Sequence, residues 1–152
     1  MKIRHLYLSS GHNFFGHHGQ PAGDSPTLEV AEVECVAGQG LVGDRFFAYK
    51  ENYQGQITFL AAEVFAEVCQ KLGVVDKSPG VMRRNVVTEG VDLNTLIGQE
   101  FTVQGVTFAG VGECSPCHWM DDAIAPGAEA GLQGRGGLRA RILTSGKLRV
   151  EV

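Results

Sequence analysis

Chemistry is most concentrated at Cys114-Ser115-Pro116-Cys117-His118: two thiols three residues apart, a proline that restricts the backbone before the second, and an imidazole after it. A thiolate is both a nucleophile and a soft metal ligand, and a thiol becomes reactive through nearby positive charge or a set of backbone donors. Several readings compete. The C-x-x-C-H spacing is that of c-type haem attachment. That chemistry needs export, and Met1-Lys2-Ile3-Arg4-His5 runs into a short alternating segment and not into an apolar signal sequence, so haem is set aside. A structural zinc or anion-binding module would use Cys114, Cys117 and a histidine, with Cys35, Cys69 or the His12, His17 and His18 group as further donors, none at the usual second-pair spacing. A thioredoxin-like pair expects its first cysteine at the start of a long helix, whereas only a short turn is expected after Trp119. The remaining readings are a single reactive thiolate with an ancillary neighbour, and two buried thiols without chemistry.

Positive charge is supplied elsewhere in the chain. Gly131-Leu132-Gln133-Gly134-Arg135-Gly136-Gly137-Leu138-Arg139-Ala140-Arg141 joins a Gly-rich turn, whose N–H groups can form an anion-binding nest, to three arginines. Arg83-Arg84-Asn85 is a second basic doublet, entering a strand. With a formal net charge of −4, such local concentration of arginine suggests one cationic pocket for a small anion such as phosphate, which guanidinium groups grip bidentately. Taken singly, Arg139 and Arg141 would merely share a solvated strand face. His118 can act on Cys117 or on its ligand, His5 reads as a strand-surface residue, and Trp119 and Met120 read as packing at a barrel mouth. His12, His17 and His18 lie in a loop that binds metal, stays solvated or closes over a site.

Gly38-Gln39-Gly40-Leu41-Val42-Gly43 matches the dinucleotide pattern G-x-G-x-x-G. The pattern works only where its last glycine opens a helix, and Asp44-Arg45-Phe46-Phe47-Ala48-Tyr49 has no helical periodicity. A nicotinamide dinucleotide is therefore not expected. Asp44 reads as a turn-capping acid and Arg45 as an exposed base.

These residues must be positioned by short elements. Ile3–Ser9 alternates as an opening strand, Gly11–Pro26 is too rich in Gly, Pro, His and Asn for a regular element, and Thr27–Val36 reads as a second strand. One helix is expected over Ala61–Leu72, with Leu60, Val64, Phe65, Val68 and Leu72 on one face and Gly73 as its left-handed stop. Cys69 falls on that apolar face and Cys35 lies near a strand end, so both read as structural. Asn85–Thr88 forms a strand, Asp92–Leu96 a single helical turn, and Phe101–Val103 with Val106–Phe108 a hairpin through Gln104-Gly105. A second hairpin is expected from Leu138–Thr144, a Ser145-Gly146 turn, and Leu148, Val150 and Val152.

Six or seven short strands with one main helix describe a mainly β protein, a barrel or sandwich. At 152 residues the chain makes one domain. Leu, Ile, Val and Phe exceed a quarter of it, and 20% is charged, which excludes disorder for most of its length. Glycine, at 21 residues, is about twice its usual share and aperiodic, as in a turn-rich β protein. The net acidity disfavours nucleic acid and anionic membrane surfaces as partners. No run of apolar residues approaches a membrane span, and a cytoplasmic protein with free thiols is expected.

In order along the chain, Gly40-Leu41-Val42-Gly43-Asp44-Arg45, Pro79-Gly80 with Arg83, Arg84 and Asn85, Gly90-Val91-Asp92-Leu93, Gly98-Gln99-Glu100-Phe101, Cys114-Ser115-Pro116-Cys117, and Gly134-Arg135-Gly136-Gly137 with Arg139, Arg141 and Gly146 resemble the motif series of the MOSC domain, the C-terminal domain of molybdenum cofactor sulfurase. The resemblance spans nearly the whole chain and implies a small stand-alone MOSC domain over residues 1–152 with a β-barrel fold. It implies one functional cysteine, matched by Cys117, which carries sulfur as a persulfide or binds the molybdenum of a molybdopterin cofactor. The cofactor-binding residues it implies are Arg45, Arg83, Arg84, Asn85, Arg135, Gly136, Gly137, Arg139 and Arg141. A carrier would work with a cysteine desulfurase or other sulfur donor and a molybdoenzyme or pterin acceptor. An enzyme would be a sulfur transferase or a reductase of N-hydroxylated compounds. Phe46 departs from the pattern, since many relatives carry histidine there.

Overall fold

The computed structural model describes residues 1–11 and 25–152. His12, His17 and His18, and most of the expected Gly11–Pro26 loop, lie outside the described residues. Ten strands form two sheets: β1 (Lys2–Leu8), β2 (Leu28–Val30), β3 (Glu32–Val36), β4 (Gly40–Leu41), β5 (Ile57–Ala61), β6 (Val86–Glu89), β7 (Glu100–Val103), β8 (Val106–Glu113), β9 (Leu138–Ile142) and β10 (Gly146–Arg149). The large sheet has the order β2-β1-β6-β5-β9-β8-β7, and the small one β10-β3-β4. Among the described residues β2 and β7 remain edges, so the pairings do not close the expected barrel. The β5–β6 pair is parallel and its neighbours are antiparallel, making the large sheet mixed. None of the described helices is long and apolar enough to cross a membrane.

Three helices replace the single one expected: α1 (Ala62–Leu72), α2 (Trp119–Ala123) and α3 (Ala128–Leu132). The last two are five residues each, too short to display a 3.6-residue period in sequence. Helix α1 follows β5 without a linker and stops at Gly73, whose φ of 69° is the left-handed conformation the sequence predicts. Leu60 belongs to β5 and not to the helix. That strand has no polar–apolar alternation to betray it, because all five of its residues are buried and it is covered on both faces.

Burial on two faces produces two cores. Ile57 and Phe59 of β5, with Leu138, Ala140 and Ile142 of β9, pack towards Val33, Cys35, Leu41 and Leu148 of the small sheet. On the opposite face Leu60 and Val87 pack against Phe65, Val68, Met120, Ile124 and Leu132 of the three helices. The expected strand Thr27–Val36 breaks at Ala31, where the chain passes from the large sheet to the small one. The inward parity changes there from Val30 to Val33 and Cys35. Likewise β9 and β10 do not form the expected hairpin: β9 pairs with β5 and β8, β10 with β3. The β7–β8 hairpin is as predicted, with Gln104 and Gly105 both at positive φ, and Asp92 caps a 3-10 turn over Leu93–Leu96.

Candidate functional site

Strand β8 ends at Glu113, and the backbone beyond it is fastened from three directions. The Cys114 N–H donates to the Gly137 carbonyl at 2.7 Å. Arg84, 8% exposed, donates through Nη2 to the Cys114 carbonyl (3.2 Å), through Nε to the Gly136 carbonyl (3.0 Å) and through Nη1 to the Met82 carbonyl (3.0 Å). Gly136 and Gly137 permit this closeness. A Cβ on Gly136 would lie 2.4 Å from the Cys114 oxygen, and one on Gly137, whose φ is +123°, would lie 2.4 Å from the Phe59 oxygen. The Gly136 N–H donates to the Glu113 carboxylate at 3.1 Å, so in this structure the Gly-rich turn closes the strand end onto the chain itself.

The segment that follows carries the thiols. Cys114 and Cys117 are half-buried and free, Ser115 is exposed and Pro116 buried. The Cys117 carbonyl accepts from Met120 N–H at 2.9 Å, which fixes Cys117 at the entry to α2. The His118 ring lies against Trp119 at 4.5 Å. Trp119 is buried and Met120 packs in the helix-covered core, a different place from the barrel mouth predicted for them. Cys35 and Cys69 are buried, as expected of structural thiols. Burial, with the Glu34 charge, pushes Cys35 up to about 12, and burial also raises Cys69.

The arginines divide. Arg83, at a φ of 58°, donates to the Ser25 carbonyl (3.1 Å), the Thr27 hydroxyl (3.0 Å) and the Gly11 carbonyl. Burial first, then the Arg45 charge, lowers it to about 10. Arg135 donates to Glu67 of α1 at 2.7 Å and to the Gly131 carbonyl. It lines a separate cavity of about 400 Å³ with Glu63, Val64, Val91 and Leu93. Arg141 sits opposite Ala109 of β8 on the same side of β9 as Arg139.

Arg45, Arg84 and Arg139 remain around Cys114. Arg45 is far from the exposed base predicted: its side chain is 12% exposed, 3.4 Å from the Asp44 carboxylate and 4.7 Å above the Phe46 ring. Burial lowers its pKa, and it lies within electrostatic reach of Arg84 and Cys114. Arg139 stands opposite Thr58 of β5 and Gly112 of β8. Its Nε is buried without a hydrogen-bond partner among the described residues, a costly state for a cationic donor unless a ligand meets it.

Beneath these cations is a polar floor only partly visible in the sequence. The Asn85 side-chain oxygen accepts from Thr58 N–H and Oγ1 at 3.0 and 3.1 Å, and its Nδ2 donates to Tyr7 O and Asp44 Oδ1. Asp44, 6% exposed, also accepts from the Ser9 and Phe46 N–H groups. It caps a turn, as expected, and is in addition a buried anchor. Thr58 and Tyr53 escape sequence reasoning. The aromatic run Phe46, Phe47, Tyr49 and Tyr53 beside Arg45 was the available signal.

Gly38–Gly43 opens no helix. Gly40 and Leu41 within it form β4, which returns onto β3. Among the described residues, no three His, Cys, Asp or Glu side chains gather as a metal site.

Residues 16–151 match the model of the MOSC domain family. Among solved structures, the YuaD protein of Bacillus subtilis is similar at a TM-score of 0.74 and 19% identity, covering 98% of this chain and 91% of that one. YiiM of Geobacillus stearothermophilus gives 0.67 at 15% identity, covering 97% and 70%, and YiiM of Escherichia coli 0.64 at 15%, covering 98% and 66%. At these identities the likeness is one of fold. No protein of curated function matches the sequence.

Proposed function

Since the chain belongs to the MOSC domain family, we propose that it handles sulfur or the molybdenum cofactor in the cytoplasm, with Cys117 as persulfide carrier or molybdenum ligand. The observation that carries this reading is the half-buried thiol segment, held at the end of β8 by Arg84 beside Arg45 and a buried Arg139 Nε without a hydrogen-bond partner among the described residues. A soft sulfur ligand near one guanidinium donor without a partner among the described residues suits a cofactor carrying a phosphate. The donor set therefore fits the group: Cys117 would hold the metal, and Arg139 and Arg45 would hold the phosphate. When bound, the cofactor supplies a two-electron redox centre, for which N-hydroxylated compounds are the proposed class of substrate.

The chain's own contribution is positional and electrostatic. Arg84, Gly136 and Gly137 hold the backbone of Cys114, and Pro116 restricts that of Cys117. As a carrier, the Cys117 thiolate attacks the terminal sulfur of a donor persulfide, such as that of a cysteine desulfurase. One S–S bond forms as the other breaks, the donor thiolate leaves, and no external oxidant is required. A molybdoenzyme or pterin is the proposed acceptor.

Cys117→Ser should abolish persulfide loading from a cysteine desulfurase, read by mass as one added sulfur, and should abolish molybdenum retention in protein made with the cofactor available. Cys114→Ser should keep a substantial fraction of either. Equal and complete loss in both variants, with stoichiometric zinc in the wild type, would replace the proposal by a structural zinc module.

A further inference from the structure

The loop between β4 and β5 brings an aromatic group up to Arg45. Phe46 and Tyr53 stack at 5.2 Å, Tyr49 meets them at 5.4 and 4.9 Å, and the Lys50 ammonium lies 5.3 Å from the Tyr53 ring centroid. Tyr53 also folds over Gly55, where a Cβ would come within 3.3 Å of Cζ and the hydroxyl. The faces of its ring are thus taken up by protein, which leaves the hydroxyl as what it can offer to a ligand. Phe46 in turn carries Arg45 at 4.7 Å on its face, so the aromatic group and the cation are built as one unit.

We propose that Tyr53 is a ligand-contacting residue of this pocket, its hydroxyl donating to an oxyanion held by Arg139 Nε and Arg45 beside Cys114. The inference rests on the anion pocket of the proposed function and adds a donor to it. Tyr49 and Lys50 lie against the Tyr53 ring, and Arg139, Cys114 and Arg45 are within electrostatic reach of its phenol. Burial and the Tyr49 and Cys114 charges outweigh the two arginines and raise the pKa of Tyr53 above its ordinary 10.0. The phenol therefore stays protonated at neutral pH and is a donor. A neutral donor between two cations adds direction without adding charge, as suits a tetrahedral oxyanion with several acceptor oxygens. Such an oxyanion is either free, like inorganic phosphate, or the phosphate of a larger ester.

Calorimetric titration of the full-length protein with inorganic phosphate and with glycerol phosphate tests this. Tyr53→Phe should weaken both ligands about three- to tenfold, the usual worth of one hydrogen bond. Tyr49→Phe should change them less than twofold, and both variants should melt with the wild type. Addition of phosphate should red-shift the tyrosine absorption of the wild type, and this difference band should be missing from Tyr53→Phe. Tighter binding of the ester would identify a phosphate ester as the source, and tighter binding of inorganic phosphate a free oxyanion. If the wild type binds phosphate, Arg139→Gln weakens it, and Tyr53→Phe binds as the wild type does with the same difference band, the role of Tyr53 is overturned and the pocket stands. If the wild type binds neither ligand at millimolar concentration, pocket and inference fall together.

Discussion

Thr58 and Leu60 stand two residues apart on β5 and face the same side of the large sheet, yet they meet opposite surroundings. Leu60 is fully buried with Phe65, Val68, Met82 and Val87 under the helices. Thr58 is nearly as buried, at 8%, but meets the Asn85 amide and stands across from Arg139. The helices cover one end of the face, and irregular segments bearing Asp44, Arg84, Cys114 and Gly136 cover the other. At the second, side-chain polar groups are satisfied by partners at fixed positions, and Arg139 Nε has no hydrogen-bond partner among the described residues. Where helices supply the cover a strand position is used for packing, and where loops supply it the next inward position becomes available for chemistry.

The largest expected effect compares the two ends directly. Arg84→Met should cost about 3–5 kcal/mol in urea unfolding, because three carbonyls lose their donor at once, and should also abolish phosphate binding by releasing the Cys114 backbone. Leu60→Ala should cost about 3 kcal/mol through its cavity and leave phosphate affinity unchanged. If Leu60→Ala disturbs binding as much as Arg84→Met, the two ends are one cooperative unit and the contrast fails.

A smaller effect concerns the thiols, which divide in the same way. With a thiol reagent at pH 8, Cys114 and Cys117 should be modified first. Cys35 and Cys69, buried and raised in pKa, should react more than about tenfold more slowly until the chain unfolds. Peptide mapping that finds Cys69 modified alongside Cys117 would show that the helix-covered end opens as readily as the site.

The smallest effect lies at the rim of the apolar end, where Lys71 first and then Arg135 hold the Glu67 carboxyl at about 2 against an ordinary 4.5. A depressed carboxyl contributes stability above pH 4.5 and loses it as pH falls towards 2. Glu67→Gln should therefore be slightly less stable than the wild type at pH 7 and indistinguishable from it at pH 2, with phosphate binding unaffected. A change in phosphate affinity would place Arg135 in the pocket with Arg139 after all.

Much of the architecture was legible because its determinants are local. The period of Val64, Phe65, Val68 and Leu72 with the stop at Gly73 specifies α1, Gln104-Gly105 specifies the β7–β8 turn, and Asp92 caps its own 3-10 turn. Strand β5 is not legible in the sequence because burial on both faces erases alternation, and the break at Ala31 is hidden because strand-forming residues continue across the change of parity. Of the site, the thiol segment and the arginine-rich segments were visible as residue types. Their division of labour was not, since the partners of Arg83, Arg84 and Arg135 are carbonyls and a carboxylate on distant segments.

The sequence by itself determined the family, the mainly β class, the principal helix and the place of the paired thiols in the chain, because motif order, periodicity and residue type are properties of the chain. Only the tertiary structure decided which arginines brace the fold and which face the thiols, and that Arg45 is buried against an aromatic group that includes Tyr53. Those outcomes depend on which backbone carbonyls, carboxylates and rings arrive within about 3–6 Å of a guanidinium, and segments far apart in the chain bring them there.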